Sequence, residues 1–581
     1  MKHVCLVGTC LALAAMALGV LWLGCRKAPP SAPEPDDLPW FEDVTEAVGL
    51  DFVHDAGPID EKHFLPQIVG SGAAVFDFDG DGLLDIYLLN NGGPNGRPNR
   101  LFRQLPGGRF QDVSKGSGLD ISGYSMGVAI GDVNNDGLPD VLVTQYTGVR
   151  LFLNNGNSTF TEVTKEAGLD NPLWATSAAF FDYDRDGWLD LVVVNYVDYD
   201  PSWRCASPDG KPDYCPPNQF AGTVAKLFHN TGVRIRNAKC EIRNPKSETP
   251  RFEDVTLASH LGRVPGPGLG VACADFDGDG WPDILVANDG EANRLWINQH
   301  DGTFAEEAVL RGLAVNGLGQ RQANMGIALG DVDGDGLLDV FMTHLTEETN
   351  TLWRQGPRGL FRDGTAAARL ASPGWRGTGW GAVLADFDHD GALDLALVNG
   401  RVARGHAANP PLGPHWSRYA ERNQLFVGSG TGSFTDISTT NKPLCGTPGV
   451  YRALVVADID GDGALDLLVT AVAGPARLYR NVAPKRGHWL VVRAVDPALK
   501  RDAYGANITV WAEGRRWVSG IYPGQGYLCS HDPRAHFGLG PAARVHAIEV
   551  RWPDGTREAF DGRPADQVVQ LVKGNGTRLE K

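Results

Sequence analysis

Asp77-Phe78-Asp79-Gly80-Asp81-Gly82-Leu83-Leu84-Asp85 is written seven times in this 581-residue chain, with further copies starting at Asp132, Asp182, Asp275, Asp331, Asp386 and Asp458. Each copy sets an oxygen-bearing side chain at positions 1, 3, 5 and 9, with Gly at position 6, where a loop closing on an ion must turn sharply. Ca²⁺ takes six to eight oxygens at roughly 2.3–2.6 Å and tolerates irregular geometry. In the first copy the expected ligands are the side chains of Asp77, Asp79, Asp81 and Asp85 and the carbonyl of Leu83. The corresponding sets are Asp132, Asn134, Asp136, Leu138 and Asp140; Asp182, Asp184, Asp186, Trp188 and Asp190; and Asp275, Asp277, Asp279, Trp281 and Asp283. The last three are Asp331, Asp333, Asp335, Leu337 and Asp339; Asp386, Asp388, Asp390, Ala392 and Asp394; and Asp458, Asp460, Asp462, Ala464 and Asp466. A single copy would read equally well as an Asx turn. Seven copies with clustered carboxylates are a different matter, because the charges repel unless a cation lies among them. One Ca²⁺ per loop, up to seven, is expected.

The surroundings of the loops set the fold class. An EF-hand needs flanking helices and a Glu at position 12. Here the loops run into apolar stretches such as Leu84 to Leu89 and Leu189 to Val194, which read as buried strands. A segment like Phe41-Glu42-Asp43-Val44-Thr45 precedes each loop, with counterparts at Phe110, Phe160, Phe252, Phe304, Phe361 and Phe434. A segment like Asn99-Arg100-Leu101-Phe102 follows, with counterparts around Leu151, Leu227, Leu295, Leu352, Leu425 and Leu478. Each unit therefore holds four short strands. The loops are spaced 55, 50, 93, 56, 55 and 72 residues apart, so two units carry insertions. This predicts an all-β chain: a seven-bladed β-propeller followed by a small β-rich C-terminal domain. The last unit stops after Leu478-Tyr479-Arg480-Asn481, and Phe41 to Thr45 is expected to supply its missing outer strand, which would remove open edges.

Residues 1–25 have the basic start and apolar run of an export signal. The run ends on Leu21-Trp22-Leu23-Gly24-Cys25, close to a bacterial lipobox that would lipidate Cys25, although Trp22 stands where such motifs usually carry Leu. An envelope lipoprotein is favoured; an uncleaved anchor and plain secretion remain open. Residues 26–39 form a Pro-rich tether, 40–483 the propeller and 484–581 the C-terminal domain. Any membrane contact would run through the N-terminal lipid or anchor.

The formal charge of −17 argues against nucleic acid as a partner, because phosphate binding needs a basic surface. Seven divalent ions would bring it to −3. Cys205 and Cys215 flank a Pro- and Gly-rich insertion, Asp198 to Lys226, and are expected to form a disulfide; a zinc site is the weaker reading. Cys273 is expected to be a buried thiol on an inner strand, whereas Cys240, Cys445 and Cys529 have no assigned role. Gly123-Tyr124-Ser125-Met126-Gly127 fits G-x-S-x-G but leads into a strand, so it implies no nucleophile. The sequon at Asn507 is expected to be idle.

With these residues in place, a resemblance can be stated. The loops with their strands are similar to FG-GAP (VCBS) repeats, the blades of integrin α-subunit propellers. Arg501-Asp502-Ala503-Tyr504-Gly505-Ala506, Pro523-Gly524-Gln525-Gly526-Tyr527-Leu528, Asp532-Pro533-Arg534-Ala535-His536-Phe537-Gly538-Leu539-Gly540 and Val550-Arg551-Trp552-Pro553 resemble the ASPIC/UnbV domain. The pairing is that of bacterial relatives of cartilage acidic protein. It implies an exported calcium-binding protein. Cys529 stands where that family usually has Ser, and Gln67 where Glu is expected.

Two functions follow as expectations. The first is a cell-surface or extracellular interaction module, with calcium structural in each blade, that binds a protein or glycan; no catalytic residue is assigned. The alternative is a propeller enzyme on polysaccharide, a lyase or dehydratase, which needs a base and a cation or Arg on one face. His406, His415 and Arg418, in the insertion Gly400 to Glu421 that also holds Trp416, are the candidates, with His54 and His63 as further polar residues.

Overall fold

A computed structural model describes residues 38–60, 63–233, 249–371, 373–409, 412–484 and 487–580. The expected export segment with Cys25, the expected tether through residue 37, and Cys240 lie outside the described residues. Each nine-residue loop joins two antiparallel strands, and two more strands complete a four-stranded unit. In the second sheet these are Ser125–Gly131, Asp140–Gln145, Gly148–Asn154 and Phe160–Glu162, paired in chain order. The same order holds in the first, third, fourth, fifth and sixth sheets. The seventh takes Tyr451–Ala457, Asp466–Ala471 and Arg477–Asn481 from one end of the described chain and Phe41–Asp43 from the other. Phe41 faces Asn481, and Asp43 faces Tyr479. Thr45 already belongs to the helical turn Thr45–Val48, so the added strand is shorter than Phe41 to Thr45.

First strands such as Ser125–Gly131 and Gly268–Ala274 are buried along their whole length, whereas fourth strands such as Phe160–Glu162 and Arg109–Asp112 keep one buried Phe among exposed neighbours. Apolar faces pack on adjacent sheets: Phe78 and Leu101 of the first with Val128 and Phe152 of the second, and Val455 and Leu468 of the seventh with Val75 and Ile86 of the first. Each fully buried Leu, Val or Phe contributes roughly 1.5–3 kcal/mol.

From His488 the pairing changes. His488–Asp496 is flanked by Ala535–Gly540, antiparallel, and Gln567–Val572, parallel. A second sheet holds Asn507–Ala512, Arg515–Gly520, Ala547–Arg551 and Arg557–Asp561. Val492, Ile508, Phe537, Ile548 and Trp552 form its core, and Gly555 turns the hairpin at φ +81°.

Between these sheets the chain leaves the C-terminal domain and runs among the first strands of the other seven sheets. Gly526 exchanges two hydrogen bonds with Val271 at 2.9 and 3.1 Å, Leu528 N donates to Ser177 Oγ at 3.0 Å, and Cys529–Ser530 pairs in parallel with Ala73–Phe76. Tyr527 packs on Trp380 with ring centroids 4.8 Å apart, and His531 Nδ1 accepts from Val456 N at 3.2 Å. A Cβ on Gly127 would lie 3.0 Å from the Leu528 Cα, so glycine admits the segment there. Tyr527 and Leu528 are wholly buried. Among the described residues no helix is long and apolar enough to cross a membrane.

Candidate metal centres

The seven loops share one hydrogen-bond scheme. Position 6 is glycine at φ between +83° and +97° in every copy, a left-handed conformation costly to other residues. Its N–H donates to Oδ2 of position 1 at 2.8–3.1 Å. Position 7 N–H donates to Oδ1 of position 5 at 2.8–3.0 Å. These donors turn the carboxylates into the loop. Ligand-type oxygens within 4.8 Å of one another occur in Asp77, Asp79 and Asp85, in Asp182, Asp184 and Asp186, in Asp275, Asp277 and Asp279, and in Asp331, Asp333 and Asp335. Oδ1 of Asp182 and Oδ1 of Asp458, both at position 1 and buried, have no hydrogen-bond partner among the described residues.

Position 9 has a second task. Its Oδ2 accepts the N–H of position 2 at 2.9–3.2 Å, and its Oδ1 accepts a main-chain N–H of the third strand at 2.7–2.9 Å, in all seven loops. Each oxygen keeps a lone pair for an ion except Asp190 Oδ1, which also lies 3.0 Å from His229 Nδ1. Burial pushes the carboxyls of Asp85, Asp190 and Asp339 up to about 7, and those of Asp140, Asp283, Asp394 and Asp466 well above the usual range. An all-oxygen set that is buried, mutually repelling and supplied with main-chain donors fits a hard divalent cation, which would offset the desolvation.

Six side-chain amides link six of the seven loops to a neighbouring sheet, and sequence reasoning missed them. Asn154 Nδ2 donates to the Phe78 carbonyl, Asn230 to Val133, Asn298 to Tyr183, Gln355 to Phe276 and Asn481 to Phe387, at 2.6–2.9 Å. Gln104 donates to Ile459 at 2.7 Å, tying the first sheet to the seventh. The signal was present as Leu-x-x-Asn or Leu-x-x-Gln in the third strand of six repeats; the sixth has Gly428 there.

Donors from the C-terminal domain reach the same loops. Arg501 Nη2 donates to the Gly187 carbonyl at 3.2 Å, Arg551 to Asp275 Oδ2 at 2.6 Å, and Arg515 and Trp517 to the Gly391 carbonyl at 3.1 and 3.0 Å. Arg516 donates to the Asp335 carbonyl, and His536 Nε2 lies 2.8 Å from that of Gly463. The loop side of the sheets is thus covered by cationic and N–H groups that complement its negative charge.

At the opposite strand ends the two insertions meet. Asp213 accepts from Tyr419 Oη at 2.7 Å and from Arg404 N at 2.9 Å, beside the Cys205–Cys215 disulfide. Tyr214 Oη lies 3.2 Å from His415 Nε2, and the His63 ring is 5.4 Å from that of His415. Burial pushes His415 down to about 4 and the Tyr214 phenol up. Neither group is poised as a base near neutral pH. Arg418 bonds the Gly405 carbonyl at 3.4 Å, and His406 is exposed. His54 Nδ1 accepts from Ala473 N at 3.1 Å, a structural role. Cys273 and Cys445 are buried thiols. Cys529 Sγ lies 3.5 Å from His531 Nε2, but burial pushes the thiol up to about 12 and the imidazole down to about 4, which leaves no thiolate.

The FG-GAP-like repeat model matches residues 77–143, 132–193, 275–342, 331–397 and 416–469, and the ASPIC and UnbV model matches 496–578. The chain belongs to the FG-GAP repeat family. The chain is similar to proteins named cartilage acidic protein 1: 29% identical over 309 residues in Xenopus tropicalis and 28% over 315 residues in Homo sapiens. These alignments cover 51% and 52% of this chain but 43% of either relative, so the chain spans less than half the length of the curated relatives it matches. Among solved structures, an Agrocybe aegerita protein that recognises non-reducing terminal N-acetylglucosamine aligns at 15% identity and TM-score 0.35, over 63% of this FG-GAP chain and 79% of its own. That likeness is too distant to bear on function.

Proposed function

We propose that this FG-GAP protein is an exported, calcium-stabilised seven-bladed propeller, residues 40–483, capped by its C-terminal domain, residues 484–581, and that it binds a protein or glycan at the cell surface. The link from Gln104 to Ile459 and the strand Phe41–Asp43 support closure of seven sheets into a ring. The common scheme of main-chain donors to loop carboxylates supports one structural Ca²⁺ per blade. Attachment to the membrane would run through Cys25 or the apolar segment before it, and no nucleic acid is involved.

One observation carries the interaction reading. The loop side is covered by Arg501, Arg515, Arg516 and Arg551, and Tyr527 fills the space among the first strands. The surface left for a partner is the opposite side, where Tyr214, His415 and the exposed Trp203 lie on the insertions.

The test is thermal unfolding of the full chain with calcium and with chelator, alongside metal analysis. Extracellular modules bind calcium with Kd of about 10⁻⁴ to 10⁻³ M. At ten times Kd each site contributes about 1.4 kcal/mol, and seven together about 10 kcal/mol. A large loss of Tm in chelator, with up to seven Ca²⁺ in the loaded chain, is expected. Unchanged melting in a chain that holds no calcium would overturn the reading.

A further inference from the structure

The cover over the loops does not meet them everywhere. Where the C-terminal domain faces the first two loops, a cleft of about 540 Å³ remains. A volume of this order suits a small-molecule ligand. Four of the side chains that line it are basic, Arg493, Lys500, Arg501 and Arg534, and four are acidic, Asp77, Asp132, Asp502 and Asp532. His531 also lines it, but burial pushes its imidazole down to about 4, so it adds no charge near neutral pH.

The basic groups are not all spent on the acidic ones. Arg493 pairs with Asp502 at 2.6 Å, and Arg534 pairs with Asp532 at 2.6 Å. The carboxylates of Asp77 and Asp132 are turned into their loops by the N–H groups of Gly82 and Gly137. That leaves Lys500 and Arg501. Lys500 is exposed, and its ammonium has no hydrogen bond or ion pair among the described residues. Arg501 is 6% exposed and bonds three neutral oxygens, Asn135 Oδ1 at 2.9 Å and the Asp502 and Gly187 carbonyls at 3.2 Å. Asp132 and Asp182 act on it only at longer range. Its three bonds leave two of the five N–H groups of a guanidinium unused. A buried charge without a close counterion is costly. Tyr504, also 6% exposed, lines the same cleft, and its hydroxyl has no hydrogen-bond partner among the described residues. Burial pushes this phenol up, so it stays a donor near neutral pH. An ammonium, a guanidinium with N–H groups to spare and an unbonded phenol all lack an anionic acceptor.

We propose that this cleft binds a small organic molecule through an oxyanion head, a phosphate or a carboxylate, held by Lys500, Arg501 and Tyr504. The planar fork of Arg501 matches such a head, and Leu84 and Leu138 of the two loops offer the body an apolar wall. A dication in the first two loops would take up the charge of Asp77 and Asp132, and to that extent alone the site rests on the calcium reading. The rival role for Arg501 is a bracket between the second and third loops, with Lys500 and Tyr504 idle.

The experiment is calorimetric titration of the full chain, equilibrated with calcium, with glucose 6-phosphate, glucuronate, sulfate and, as the uncharged control, glucose. Saturable binding of glucose 6-phosphate or glucuronate is expected, weakened about threefold by Lys500→Gln and about tenfold by Tyr504→Phe. Neither substitution removes a bond of the folded chain, so both variants should keep the wild-type Tm. A preference between the two charged sugars assigns the head group, whereas sulfate bound as tightly as either would overturn the organic body. Calcium content is counted in the same samples, so failure of the calcium reading registers separately. Absence of binding by the charged probes at any calcium content, equal binding of glucose, or affinities unchanged in both variants would overturn the proposal.

Discussion

Tyr527 Oη donates a 2.9 Å hydrogen bond to the carbonyl of Val69, across 458 residues of sequence. The bond fixes a residue of the C-terminal domain beside the lead into the first sheet. Next to it, Arg452 stacks over Trp380 at 4.0 Å and donates from Nε to the Ile68 carbonyl at 2.7 Å. A phenol, an indole and a guanidinium thus form one buried contact among the first, sixth and seventh sheets.

Tyr527→Phe keeps the ring and leaves the Val69 carbonyl without this donor, which costs about 1–3 kcal/mol. Tyr527→Ala also opens a cavity and should cost about 3–5 kcal/mol. Denaturant unfolding followed by both near-UV circular dichroism and tryptophan fluorescence should show the two domains destabilised together. Unfolding of the C-terminal domain alone would mean the contact is not shared.

The amide links make a graded prediction. Asn298→Ala removes donors to the Tyr183 carbonyl at 2.9 Å and the Pro282 carbonyl at 3.2 Å, for a loss of about 1–3 kcal/mol. Restoring an amide in the sixth sheet should fail. A Cβ at Gly428 would sit 2.0 Å from the Leu393 carbonyl, so Gly428→Asn is expected to destabilise rather than to complete the series.

Without metal the loops should give an unusual pH profile. Asp85, Asp190 and Asp339 titrate at about 7 when folded, raised first by burial, against about 4 in the unfolded chain. The folded state therefore holds more protons across that window, so their contribution is present below about pH 4 and is lost as pH rises through about 7. Chelated protein should melt at a higher temperature at pH 5 than at pH 8. Calcium held by the deprotonated carboxylates would reverse the order, which differential scanning calorimetry at both pH values would reveal.

The Cys205–Cys215 disulfide closes a loop of sequence separation 10, for which chain entropy gives roughly 2–3 kcal/mol. Its reduction, or Cys205→Ser with Cys215→Ser, should loosen Asp213 from Tyr419 and Arg404. Hydrogen exchange is expected to rise in both insertions while the seven sheets stay protected.

Much of this architecture is legible in the chain because it repeats. Strand, loop, strand can be read around Asp77 and again around Asp458, and the phase of the repeat points to Phe41 as the closing strand. The clasp at position 9 is hidden, because a ligand and an acceptor for main-chain N–H groups call for the same Asp. The cover over the loops is hidden for another reason. Arg501, Arg515 and Arg551 look like ordinary surface charges until tertiary structure brings them to Gly187, Gly391 and Asp275. Local pattern also cannot show that Tyr527 touches Trp380, since no short-range periodicity spans that separation.

The position of Gly526 to His531 bears on how the chain is made. A ribosome releases these residues after every strand of the seven sheets, yet their place is in the middle of those sheets. The strands that join the seventh sheet across its seam, Phe41–Asp43 and Arg477–Asn481, are among the first and last of the repeats to emerge. Final assembly therefore waits for the whole polypeptide, and contacts of very long sequence separation make that step slow. A nascent chain stalled before Gly526 would expose the first strands that this segment covers, a state in which unpaired apolar strands aggregate.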